Sequence, residues 1–120
     1  MSAPARKLVL VVEDEPDSLH TYALLLRHAG YDVLTADHPG AALQLLKEEH
    51  KPQLVLTDFM MPWMDGRSFA RQLKADAGMR GVPVLLMSAV EPGEGPWDGF
   101  LRKPVDYATL LAAIKRFLPE

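Results

Sequence analysis

The sequence predicts an α/β fold: an open, five-stranded parallel sheet with helices on both faces. Two patterns predict it. Apolar runs without polar alternation recur at Leu8–Val12, in PQLVLTD (52–58) and in VPVLLMSA (82–89), and such runs suit strands that are covered on both sides. Segments of roughly ten to fifteen residues with helical apolar spacing lie between most of them, so each strand returns to the sheet by a right-handed crossover.

Leu8–Val12 is the first strand. Leu19, Tyr22, Ala23 and Leu26 then follow the i, i+3, i+4, i+7 spacing of an amphipathic helix, with Pro16 in its first turn and Gly30 at its stop. YDVLTA (31–36) reads as a short strand, PGAALQLLKEEH (39–50) as a helix, PQLVLTD as the third strand and GRSFARQLKADAG (66–78) as the next helix. VPVLLMSA is the fourth strand, and GFLRKP (99–104) carries a short fifth. DYATLLAAIKRFL (106–118) closes the chain as a helix with Leu110, Leu111, Ile114, Phe117 and Leu118 on one side. One crossover breaks the pattern. VEPGEGPWDG (90–99) holds Pro92, Gly93, Gly95, Pro96 and Gly99, which cannot support a normal helix interior.

At 120 residues the chain is expected to be a single domain, residues 1–120, with no output domain; such a length buries roughly two thirds of its unfolded surface without staples. A net charge of −3 offers no basic footprint for nucleic acid or anionic lipid. Cysteine is absent, which excludes disulfides, thiolate metal sites and thiol nucleophiles. MSAPARK is followed by only five apolar residues, too few for a signal-peptide core or a membrane span. A cytoplasmic protein is expected.

In open parallel sheets ligands sit beyond the carboxyl ends of the strands, where strand order reverses. Those ends supply Glu13 and Asp14 after the first strand, Asp58 after the third, Ser88 after the fourth and Lys103 after the fifth. If the first and third strands are neighbours, Asp14 and Asp58 approach each other, and a like-charge pair about 4 Å apart costs roughly 4 kcal/mol at an effective dielectric of 20. A hard divalent ion offsets that repulsion. Carboxylate oxygens without histidine or thiol partners, completed by water and phosphate oxygens, suit Mg²⁺ better than Ca²⁺. Asp58 ends a buried strand, where its carboxylate can be aimed as a nucleophile to form an acyl phosphate. Lys103 and the Ser88 hydroxyl would meet the phosphoryl oxygens. The added charge, about −1.5 to −2, would draw Ser88 and Lys103 inward, so the site is read as a switch and not as an enzyme.

VVEDEPD, LVLTDFMMPWMDG, VPVLLMSA and LRKP, taken together, make the chain resemble a response-regulator receiver domain of two-component signalling, over almost its whole length. The resemblance implies a doubly wound, flavodoxin-like sheet of order 2-1-3-4-5. It implies Asp58 as phosphoacceptor, Asp14 and Asp58 as Mg²⁺ ligands, Glu13 acting through a bound water, and the Met60 carbonyl as a further ligand. It also implies Lys103 and Ser88 as phosphate contacts, Phe100 as a rotating aromatic, a cis bond between Lys103 and Pro104, and a sensor histidine kinase or histidine phosphotransfer protein as donor. The departure is the short segment 90–99, where the family's fourth helix is lost or reduced.

Losing that helix uncovers strands four and five, so Trp97, Phe100 and their neighbours are expected to fold over the gap or to bind a second copy as a homodimer. Glu15 and the histidines at 20, 28, 38 and 50 are read as surface or helix residues. Met60 and Val90 are apolar where the family often has polar groups beside the acceptor, which implies slow loss of the phosphoryl group. Trp63 is read as a packing residue. Two other functions compete: a receiver-like scaffold that is not phosphorylated and binds through the shortened face, and an aspartate-nucleophile hydrolase. The hydrolase would want a D-x-D pair after the first strand, where Glu13, Asp14 and Glu15 stand.

Overall fold

A computed structural model describes residues 6–48, 50–61 and 64–119. Trp63 and the turn proline Pro62 lie outside them. Strand β1 (Leu8–Val12) leads through helix α1 (Pro16–His28) to β2 (Asp32–Ala36), then through α2 (Pro39–Lys47) to β3 (Leu54–Asp58). Helix α3 (Gly66–Ala75) leads to β4 (Val84–Ser88), which connects to β5 (Gly99–Arg102), and α4 (Tyr107–Phe117) closes the fold. The strands pair in parallel in the order β2-β1-β3-β4-β5, as the resemblance implies.

The continuous apolar runs are explained by two cores, one on each side of the sheet. Val9 and Val11 of β1 pack with Ala23 and Leu26 of α1 and Leu110 and Ile114 of α4. Their neighbours Leu10 and Val12 pack with Ala42 of α2 and Phe69, Ala70 and Leu73 of α3. Successive strand side chains point to opposite faces, so a strand covered twice must be apolar at every position.

The helix ends are more sharply set than periodicity suggested. Helix α2 stops at Lys47 rather than at His50, ahead of Pro52, whose ring disfavours helical backbone before it. Helix α3 stops at Ala75 rather than Gly78, because Asp76 turns extended and its carboxylate accepts the Gly78 N–H at 2.8 Å. Glu15 is more than a solvated acid: it is the N-cap of α1, accepting from Asp17 N–H at 2.8 Å and Ser18 N–H at 3.1 Å. His38 likewise caps α2 through Nδ1, which accepts the Ala41 N–H at 3.0 Å. Gly30, at φ +103°, ends α1 in a backbone shape that residues with a Cβ rarely adopt.

Residues 89–98 between β4 and β5 contain no helix. Trp97 folds over the gap: it packs against the α2–α3 core and meets Phe59 edge-on at 6.0 Å. Phe100 is half-buried on β5.

Candidate functional site

Four of the five strands deliver groups to the carboxyl edge of the sheet: Glu13 and Asp14 from β1, Asp58 from β3, Ser88 from β4 and Lys103 from β5. β1 and β3 are neighbours, which brings Glu13 and Asp14 beside Asp58. One carboxylate oxygen from each of the three lies within 4.8 Å of the others. Glu13 and Asp58 are buried, 1% and 6% exposed, while Asp14 is the most open of the three.

Lys103, just past β5, reaches into this acidic group. Its Nζ lies 2.9 Å from Glu13 Oε1 and 3.3 Å from Asp58 Oδ2. The Lys103–Pro104 bond is cis. Burial alone would lower the lysine's pKa, but its hydrogen bond to Glu13 and the charges of Asp58 and Glu13 outweigh that effect and hold the ammonium above the ordinary lysine value. Asp14 is pushed the other way for a carboxylate. Desolvation, then the hydrogen bond with Glu13 and its charge, raise its pKa above 3.8.

These shifts describe a site with too much negative charge. Three carboxylates face one ammonium, and no nitrogen or sulfur donor stands among them. All-oxygen, anionic donors that converge on one point fit a hard divalent cation such as Mg²⁺. The donor set therefore fits the expected metal.

Ser88 ends β4 and is 1% exposed; its Oγ accepts the Val90 N–H at 3.1 Å, which leaves the hydroxyl proton free to be donated elsewhere. Met60 and Val90, two residues after Asp58 and Ser88, expose 62% and 52% of their surface. Phe100 pairs with Leu86 on the edge strand. Beside Lys103 a cleft of about 580 Å³ opens, lined also by Asp17, Ser18, Tyr22 and Val105. Tyr22 was legible only as a helix-face residue. Burial raises its phenol pKa, with Lys103, Glu13 and Asp58 as the surrounding charges. The turn after Asp58 is held by Gly66, whose N–H donates to the Phe59 carbonyl at 2.6 Å, and a Cβ on Gly66 would stand 2.8 Å from the Phe59 backbone.

Comparison with known proteins matches residues 9–115 to a family described as the response regulator receiver domain. Among curated relatives, protein PilH of Pseudomonas aeruginosa is 33% identical over 118 residues, covering 92% of this chain and 96% of PilH. The phosphate regulon transcriptional regulatory protein PhoB of the same organism is 30% identical, and there the chain spans only 52% of the relative's length. Among solved structures, the receiver domain of a Pseudomonas aeruginosa sensor histidine kinase, with a magnesium ion coordinated in its active-site cleft, superposes with a TM-score of 0.85 at 26% identity. That match covers 97% of this chain and all of the other.

Proposed function

Because the chain belongs to the response regulator receiver domain family, we propose that it is a phosphoacceptor switch in which Asp58 takes a phosphoryl group from a phosphohistidine. The donor is a sensor histidine kinase or a histidine phosphotransfer protein. The observation that carries this reading is Asp58 itself: a buried carboxylate at the carboxyl end of β3, 3.3 Å from Lys103 and within reach of Glu13 and Asp14.

A carboxylate oxygen of Asp58 attacks phosphorus, the phosphorus–nitrogen bond of the donor breaks, and its electron pair returns to the imidazole. Lys103 pairs with the phosphoryl oxygens as they turn toward β5, and the Ser88 hydroxyl donates to one of them. Asp14, Asp58 and the Met60 carbonyl would hold a magnesium ion, with Glu13 acting through water, and the ion would neutralise charge on those oxygens. Among the described residues no helix is long and apolar enough to cross a membrane.

Exposure to a small acyl phosphate with Mg²⁺, read by intact mass, tests the reading. The wild-type chain should gain one phosphoryl group and Asp58→Asn none. A wild-type chain that gains nothing would instead act as a scaffold. Self-association through the β4–β5 face belongs to the same proposal, and size-exclusion chromatography with and without phosphorylation tests it.

A further inference from the structure

The apolar run of β3, LVLTD (54–58), breaks one residue before the acceptor. Thr57 is 0% exposed, in a place where a strand covered on both sides calls for an aliphatic side chain. Its Oγ1 donates to the Asp58 carbonyl at 3.1 Å.

The strand register explains why that carbonyl needs a side-chain donor. Residues of a strand in a parallel sheet turn their backbone groups to one neighbour and the other in alternation. The Val55 N–H donates to the Pro83 carbonyl and the Phe59 N–H to the Met87 carbonyl, both at 2.9 Å, so residues 55, 57 and 59 face β4 and Asp58 faces β1. Pairing of β3 with β1 ends one residue earlier, at Val12 and Thr57. The Asp58 carbonyl therefore points past the last β1 pair, and the Thr57 hydroxyl stands in for the strand partner it lacks.

The peptide between Asp58 and Phe59 is thus held at both of its polar atoms, the N–H by Met87 and the C=O by Thr57. Because a peptide is planar, holding both atoms fixes the plane and the torsion that joins the acceptor to the turn. Gly66 closes on the same peptide, since a Cβ there would stand 3.2 Å from the Asp58 carbonyl oxygen.

We infer that Thr57 is a positioning residue for phosphoryl transfer: by holding the Asp58 carbonyl it sets the direction from which the Asp58 carboxylate meets phosphorus. This rests on the acceptor reading above and deepens it. The Thr57 side chain leaves the strand on the face opposite to that of Asp58, so it acts through the backbone. A nucleophile misplaced by about 1 Å can lose about a hundredfold in rate, so loosening one peptide beside the acceptor is enough to slow the reaction.

Two substitutions separate positioning from packing. Thr57→Val keeps the branched shape and replaces the hydroxyl, while Thr57→Ser keeps the hydroxyl and removes a buried methyl group. Each is treated with the small acyl phosphate and Mg²⁺, followed by intact mass over time, and each is unfolded in urea. Thr57→Val should gain its phosphoryl group about tenfold more slowly than wild type, with a urea midpoint no lower than that of Thr57→Ser. Thr57→Ser should react close to the wild-type rate despite a midpoint below wild type. A role in packing alone predicts instead that rate follows stability. If Thr57→Val does not fold, Thr57→Ala takes its place, and the comparison with Thr57→Ser decides in the same way. A wild-type rate in the variant without the hydroxyl, or an equally slow Thr57→Ser, overturns the positioning role and leaves the acceptor reading standing. A wild-type chain that gains no phosphoryl group overturns both.

Discussion

Lys103 Nζ bonds Glu13 Oε1 at 2.9 Å across 90 positions of sequence. The two residues follow β5 and β1, which β3 and β4 separate in the sheet. The bond therefore spans the carboxyl edge over the top of Asp58, and it ties the charge balance of the site to the stability of the fold.

Removing the ammonium should test that tie. Lys103→Ala leaves Glu13, 2% exposed at its side chain, without its cation, and should destabilise the protein by about 2–3 kcal/mol, less than a fully buried pair because Lys103 is partly open to water. Urea denaturation measures this, and Glu13→Gln in the same chain should restore part of the loss. Phosphoryl uptake should fall by roughly a hundredfold in Lys103→Ala.

Asp14 carries the opposite expectation. Burial and Glu13 raise its pKa, so its ionised form works against folding at neutral pH. Asp14→Asn should stabilise the metal-free protein by about 1 kcal/mol, a like-charge repulsion screened by water at the mouth of the site. Magnesium should raise the wild-type melting temperature, by an amount worth roughly 2.7 kcal/mol at a hundredfold excess over Kd, and raise that of Asp14→Asn much less. Thermal melts across a magnesium titration decide the matter.

Acid sensitivity should come partly from a helix cap. Asp65 accepts the Ser68 N–H at 2.8 Å, and that backbone bond holds its pKa below the usual 3.8. A depressed carboxylate contributes stability that is fully present above the unfolded pKa and is lost as pH falls from about 3.8 through the lower folded value. Asp65→Ala should cost about 1 kcal/mol at pH 7. Asp65→Asn, which caps without ionising, should lose less stability than wild type over the same acid window in denaturant titrations.

The turn after Asp58 leaves no room for a side chain at Gly66. In Gly66→Ala the new Cβ would meet the Phe59 backbone at 2.8 Å, and backbone cannot move aside as a side-chain tip can. Overpacking of this kind costs about 1–3 kcal/mol. Because Phe59 adjoins Asp58, phosphoryl uptake measured by intact mass should also slow.

Met60 and Val90 should govern how long the phosphoryl group lasts. Both are exposed and apolar on the rim, so neither offers a polar group to orient an attacking water. Val90→Glu or Met60→Asn should shorten the lifetime of the phosphorylated state, as followed by mass over time. Enlarging either residue as an apolar group should not shorten it.

Strand positions and helix faces were legible because each follows from local pattern: β1 could be read from Leu8–Val12, a run too short for a buried helix and apolar at every step, as a strand covered on both sides must be. The strand-end groups Asp14, Asp58, Ser88 and Lys103 were legible for the same reason, as polar residues placed where apolar runs stop. Periodicity does not say which distant groups touch. That Lys103 pairs with Glu13 as well as Asp58, that Glu15 and His38 cap helices, and that Arg67 grips a proline-rich strap through two carbonyls were decided by the tertiary structure. The physical reason is range. Burial patterns are written along a few residues of chain, whereas charge pairing and side-chain-to-carbonyl bonds depend on distances that exist only after the sheet has brought remote segments together.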